Sequence, residues 1–143
     1  MRIAALSCLL LLIATTATAE PIATGAIQVI DGDTISARGQ TVRLVGLDTP
    51  EGGMNAMCDA ERTLAARATD KLRQLVAGGG LDITLVRCSC PKGIEGTQAC
   101  NYGRACGVLT AAGKDVATVL TGEGLARPYV CKRTSCPRRQ PWC

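Results

Sequence analysis

Histidine is absent from all 143 residues of this chain. That excludes imidazole as general base or metal ligand, so any chemistry must run on carboxylate, arginine and metal. A long apolar run is missing too. The stretch over 3–13 falls short of the roughly 20 residues that a membrane-spanning helix needs. There is no internal repeat and no linker between domains. Acidic residues run out at Glu123, so Arg127, Lys132, Arg133, Arg138 and Arg139 form a tail of one sign. Such a tail reads either as a solvated basic segment or as an edge that tracks phosphate.

What is present begins with an export leader. Arg2 supplies a positive start, the apolar stretch follows, and Ala17-Thr18-Ala19 fits a small-residue cleavage site with Glu20 as the next residue. Leu6-Ser7-Cys8 comes too early for a lipid-attachment box. Removing 1–19 leaves 20–143 as a single domain, long enough to bury a core without disulfides. It nonetheless keeps eight cysteines, at 58, 88, 90, 100, 106, 131, 136 and 143. An even count in an exported domain reads as a disulfide framework, whose pairing the sequence leaves open. A zinc site on Cys88, Cys90, Cys100 and Cys106 is the rival, but spacings of one residue and five do not make the usual Cys-x(2–4)-Cys knuckles. Without Arg2 there are 15 basic against 12 acidic residues, a mild +3 that permits contact with a polyanion without requiring it.

Hydrophobic patterning predicts strands over 26–31, 33–38 and 41–47, with Gly32 bending the chain and Arg38-Gly39-Gln40 turning a hairpin. Gly46 predicts a bulge or bend, which would bring Arg43 and Asp48 to one side despite their odd separation. Ala60, Leu64, Ala68, Leu72, Leu75 and Val76 recur at helical spacing, which predicts a helix over 58–77 stopped by Gly78-Gly79-Gly80. Strands follow over 81–88, with Leu81, Ile83 and Leu85 on the apolar face, and over 105–110. A short helix over 115–121 ends at Gly122-Glu123-Gly124. Three strands, a helix, two strands and a helix predict an α+β fold, a small closed β-barrel with helices packed on it.

The segment 29–51 concentrates four carboxylates, Asp31, Asp33, Asp48 and Glu51, around Arg43. Clustered carboxylates raise one another's pKa unless a cation compensates, and a hard divalent ion with oxygen ligands does so. Taken singly, the aspartates read as turn residues and Glu51, after Pro50, as a surface glutamate. Taken together, Asp33 and Asp48 form a candidate metal pair, with Glu51 placed to take a proton from a water. Arg43 lies inside an apolar strand, so it must pair with a carboxylate or face an anion. Arg104, after Asn101-Tyr102-Gly103, is the second arginine candidate. A metal, an activated water and two arginines describe phosphodiester hydrolysis.

Three segments carry a family resemblance: Val-Ile-Asp-Gly-Asp-Thr-Ile (29–35), Val-Arg-Leu-Val-Gly-Leu-Asp-Thr-Pro-Glu (42–51) and Tyr-Gly-Arg (102–104). Over about 26–130 the chain resembles the thermonuclease, or staphylococcal-nuclease-like, family. The resemblance implies an OB-type five-stranded barrel with helices, here with a cysteine-rich C-terminal tail. It implies Ca²⁺ as cofactor, held by the Asp33 and Asp48 carboxylates and the Thr49 carbonyl, with Asp31 close by but off the ion. It implies Arg43, Glu51 and Arg104 as catalytic residues, and Tyr102 and Tyr129 in substrate binding. DNA and RNA are the implied substrates, cut to leave 3′-phosphate ends. The protein would be an exported monomer, periplasmic or secreted, with no stable membrane association once the leader is removed.

The chain also departs from that family. Cys100-Asn101 stands where Asp-Lys or Asp-Arg is usual, which removes charge beside the substrate. Tyr129 stands alone where relatives carry two stacking tyrosines, with Cys131 near the second position; stacking is worth roughly 1–3 kcal/mol per base. A short tail replaces the family's long C-terminal helix, and disulfides to Cys131, Cys136 and Cys143 are expected to replace its packing. Two alternatives stand beside the nuclease: an inactive OB-type module that binds nucleic acid or a protein, and a cysteine-rich structural or inhibitory domain.

Overall fold

The computed structural model describes residues 19–143; the leader expected over 1–19 lies, apart from residue 19, outside the described residues. Nine strand segments and two α-helices follow in order: β1 (Glu20–Ile22), β2 (Ile27–Val29), β3 (Thr34–Ala37), β4 (Gln40–Leu44), β5 (Gly46–Asp48), α1 (Asp59–Ala77), β6 (Leu81–Val86), β7 (Ala105–Ala111), β8 (Lys114–Asp115), α2 (Val116–Gly122) and β9 (Arg127–Tyr129). The strands curl into a mixed sheet in the order β1-β6-β7-β4-β3-β2, with β8 on β7, and β5 and β9 form a separate ribbon. Among the described residues, only the β4–β7 pairing is parallel.

Local chemistry explains the path. β3 and β4 turn at Arg38 and Gly39, both left-handed (φ 52° and 77°), as a two-residue hairpin of this hand requires. The expected single strand over 41–47 is broken at Val45. Its amide bonds the Gly107 carbonyl (3.0 Å), and Gly46 (φ 88°) swings the chain out of the large sheet to pair with β9. The bend expected at Gly46 is thus a change of sheet, not an added residue within one ladder.

The core lies between the curled sheet and the helices. Ile35, Val42, Leu44, Leu47, Leu109, Val116 and Leu120 meet Ala68 and Leu72 of α1 there. Each of the Val, Leu and Ile side chains contributes roughly 1.5–3 kcal/mol by leaving water. Two expectations fail at the margins. Ala60 lies exposed at the start of α1, and Leu85 is 53% exposed, because β6 runs past the core at its far end while Leu81 and Ile83 are buried. Short β1 and β9 lack enough alternation to be predicted; each is held by its partner, β6 or β5.

Four disulfides join Cys58 to Cys143, Cys88 to Cys106, Cys90 to Cys100 and Cys131 to Cys136. The four cysteines of the rival zinc site are therefore consumed as two bridges. The tail is attached differently from expectation: Cys131 and Cys136 pair with each other, and only Cys143 reaches the body of the domain. Among the described residues, no helix is long and apolar enough to cross a membrane.

Candidate active site

The turn between β2 and β3 presents the first carboxylates. The Asp33 amide donates to Asp31 Oδ1 (3.0 Å), and the Ile30 and Asp31 amides return to the Thr34 carbonyl (2.9 and 3.2 Å). Gly32 is required by close approach: a Cβ there would lie 3.0 Å from both Ala68 Cβ and Thr49 Cγ2. The turn is thereby seated on α1 and on the residues just after β5. Desolvation, then the neighbouring Asp33 charge, pushes the Asp31 carboxyl above its ordinary value.

Asp33 and Asp48 are buried, at 7% and 3% exposure, so each needs partners. Asp33 Oδ2 accepts from the Thr49 amide (3.2 Å) and hydroxyl (2.8 Å), and Arg43 Nη2 lies 3.0 Å from it. Asp33 thus clasps the two carboxylate-bearing segments together. Val42 and Leu44 point into the core, so alternation sends Arg43 to the other face of β4, opposite Thr34. Its guanidinium also donates to the Leu44 carbonyl and to the Leu47 carbonyl (3.2 Å).

Arg104 reaches the same corner from the other side. Asn101, Tyr102 and Gly103 all adopt positive φ (53°, 57° and 73°), a left-handed turn that delivers Arg104 at the start of β7. The Asn101 carbonyl accepts from Arg104 Nε (3.1 Å), and Asn101 Oδ1 accepts from Nη2 (2.8 Å). Nη1 is left 3.4 Å from Thr34 Oγ1. Asn101, read from the sequence only as a lost charge, is therefore the side chain that aims Arg104. Its turn is locked by the buried bridge between Cys90 and Cys100.

Glu51 extends from the loop after Pro50, half exposed. Its amide donates to Glu61 Oε1 (3.1 Å). Glu61 sits in the first turn of α1 at 4% exposure and also accepts from the Met57 amide (2.7 Å). The Met57 bond, with a smaller contribution from the Glu51 amide, holds the Glu61 carboxyl below the usual range despite its burial. Among the many charged residues of α1, nothing in the sequence marks Glu61 as the buried acid that fixes this loop.

The tail completes the site. Arg139 Nε donates to Asp48 Oδ1 (2.6 Å), Nη2 to the Thr49 carbonyl (3.1 Å) and Nη1 to Glu51 Oε1. Trp142 Nε1 donates to Asp48 Oδ2 (3.3 Å). Burial works against the Arg139 cation, but the Glu51 hydrogen bond and the Asp48 charge outweigh it and raise its pKa. Arg139 is thus neither a solvated tail residue nor a free phosphate contact. Glu51, expected to face a water, is ion-paired. Only the one-sign composition of the tail hinted at these contacts, and it did not distinguish Arg139 from Arg138.

Asp48, the Thr49 carbonyl and Glu51 offer hard oxygens converging on one positive charge, the donor type a divalent cation such as calcium takes. Among the described residues, no three carboxylate or thiol side chains converge at metal-binding spacing. Of the two tyrosines, Tyr129 lines a cleft of about 460 Å³ with Arg43, Leu44, Leu47 and Val86. Tyr102 is 79% exposed outside it, with the Arg104 guanidinium 5.4 Å from its ring centre. No protein-family model matches this chain, nor does any curated protein.

Proposed function

We propose that this protein is an exported, calcium-dependent nuclease of the thermonuclease type, built on an OB-type barrel and hydrolysing phosphodiester bonds of DNA and RNA to leave 3′-phosphate ends. One observation carries the reading: Asp33 binds Thr49 while Arg43 and Arg104 approach the same Asp33–Thr34 corner from two strands. Carboxylates and two guanidinium groups from four chain segments share one end of the sheet, where a phosphoryl group could meet both charges.

Asp33, Asp48 and the Thr49 carbonyl would hold calcium, with Asp31 beside them. When bound, the ion supplies polarisation of the phosphate and neutralisation of developing charge. The chain's own groups do the rest. Glu51, once free of Arg139, accepts the proton of the attacking water. Water adds to phosphorus as the bond to the 5′ oxygen breaks, the departing 5′ oxygen takes a proton from solvent, and Arg43 and Arg104 donate to the phosphoryl oxygens as charge accumulates. Tyr129 offers a ring to a base in the adjoining cleft. The four disulfides agree with an oxidising, exported setting.

The inactive binding module is the second reading, and the pairing of Glu51 with Arg139 favours it. Denatured DNA incubated with calcium or with excess chelator separates the two, using the parent and Arg139→Gln. Calcium-dependent cleavage that drops about 10²–10³-fold in Glu51→Gln and Arg43→Ala supports the nuclease. Absence of cleavage by both folded, calcium-replete proteins would leave only the binding module.

A further inference from the structure

We propose that the C-terminal tail is a removable plug: Arg139 takes the Asp48 and Thr49 oxygens of the cation position and pairs with Glu51, and the Cys58–Cys143 disulfide keeps it there until a dithiol reductant opens that bond. The inference rests on the reading that a divalent cation belongs among these oxygens.

Three donor atoms of one guanidinium take one oxygen each from Asp48, Thr49 and Glu51. A divalent ion using the Asp48 and Thr49 oxygens cannot coexist with that cation, so the two compete for one position. The tail has no helix or strand after Tyr129 to hold it. It is gripped instead by side chains of the strand paired with the one that bears Asp48. The Tyr129 hydroxyl donates to the Pro137 carbonyl (2.6 Å), and Arg127 Nη1 donates to the Pro141 carbonyl (2.9 Å). The Arg127 guanidinium also lies 3.9 Å from the Trp142 ring centre, and Trp142 bonds Asp48. The far end is covalent, because Cys143 is joined to Cys58 immediately before α1. The tail therefore crosses the site from the Asp48 side to the Glu51 side and is tied down at both.

These grips differ in kind. Hydrogen bonds and ring stacking on a half-exposed surface exchange readily with water, whereas the disulfide does not. Cys143 is exposed and Cys58 half-buried, while Cys90, Cys100 and Cys106 are buried. A dithiol thus has access to the tether before the two inner bridges. Its thiolate attacks one sulfur of the Cys58–Cys143 bond to form a mixed disulfide, and its second thiol closes the reductant's own disulfide. Cys58 and Cys143 are left as thiols; the protein gains two electrons and two protons, and the dithiol is oxidised by the same amount. The tail is then held only by exchangeable contacts, and calcium can displace Arg139.

Trp142 is the only tryptophan, so its emission reports the position of the tail. Calcium is titrated by calorimetry, and Trp142 fluorescence with iodide quenching is followed, in four proteins: the oxidised parent, Cys58→Ser/Cys143→Ser, Arg139→Gln and the charge-matched control Arg138→Gln. The untethered pair and Arg139→Gln are expected to bind calcium at least about ten-fold more tightly than the parent, because the competent state is no longer masked. Arg138→Gln is expected to match the parent. In the untethered protein, calcium should expose Trp142 to iodide. Equal calcium affinity in all four overturns the plug, as does absence of calcium binding in every form. DNA cleavage on the same samples keeps the two readings apart. Tighter calcium binding without cleavage retains the plug and removes the nuclease. Cleavage by the parent with unchanged calcium affinity does the reverse.

Discussion

Removing the Cys58–Cys143 bridge should cost more stability than removing any other, although it ties down only the chain end. A cross-link stabilises chiefly by restricting the unfolded chain, and the effect grows with the logarithm of the enclosed loop. With its cysteines at a sequence separation of 85, the restriction is worth about 4.5 kcal/mol at 25 °C. The same relation gives about 3 kcal/mol for Cys88–Cys106 at a separation of 18, and about 2 kcal/mol for Cys131–Cys136 at a separation of 5. The inner Cys88–Cys106 bridge shortens the large loop by 18 of its 85 residues, which lowers the first figure by only about 0.2 kcal/mol. For a domain of about 125 residues, with roughly 2.1 cal/mol/K of unfolding entropy per residue, 4.5 kcal/mol lowers Tm by about 17 °C. Paired Cys→Ala variants followed by circular dichroism on heating provide the assay. Cys90–Cys100 makes the comparison discriminating: its loop is short, worth about 2.7 kcal/mol at a separation of 10, but both cysteines are buried. If Cys90→Ala/Cys100→Ala lowers Tm further than Cys58→Ala/Cys143→Ala, packing around the sulfurs governs and the loop-entropy argument is refuted.

Gly32→Ala should destabilise by about 1–3 kcal/mol in denaturant unfolding, because the new methyl meets Ala68 and Thr49 at 3.0 Å and Thr49 cannot retreat without opening its clasp on Asp33. Glu61 should make stability depend on pH in a definite sense. Its folded-state pKa is depressed, so its contribution is present above the unfolded carboxylate value near 4.5 and is lost as pH falls from there through the folded value. The stability gap between the parent and Glu61→Gln, measured by urea unfolding, should accordingly narrow as pH drops below that point; a gap independent of pH would contradict it. Asn101→Ala should leave Arg104 present but unaimed. Cleavage is then expected to fall in the same direction as in Arg104→Ala but by less, with far-ultraviolet dichroism unchanged.

The fold was legible where local signals repeat. The 3.6-residue spacing of Leu64, Ala68, Leu72 and Val76, closed by Gly78–Gly80, is a many-residue pattern, and it marks α1 to within one residue of its observed start. β3, β4 and β7 carry comparable evidence. β1 and β9 have three residues each and exist because a neighbouring strand supplies their hydrogen bonds. No pattern within three residues can announce a partner some 60 or 80 positions away. Leu85 shows the converse limit: alternation tells which residues share a face, but not where the core beneath that face ends.

The same distinction separates the two halves of the candidate site. Asp33, Arg43, Asp48, Thr49 and Glu51 lie within 19 consecutive residues, and two short strands and one bend suffice to gather them, so their grouping could be read from the chain. Arg139 and Trp142 join them across separations of 88 to 94 residues. Nothing in a run of basic residues shows which one folds back. The disulfide changes that arithmetic. Cys58 lies seven residues after Glu51, and Cys143 four residues after Arg139. Once that pairing is known, Arg139 can lie no more than about 14 Å of chain from Cys143, at roughly 3.5 Å per residue. A guanidinium on so short a leash beside a buried Asp48 that lacks a cation of its own has a strong electrostatic reason to settle on it. The missing information was therefore one connectivity among 105, not the chemistry of the residues it brings together.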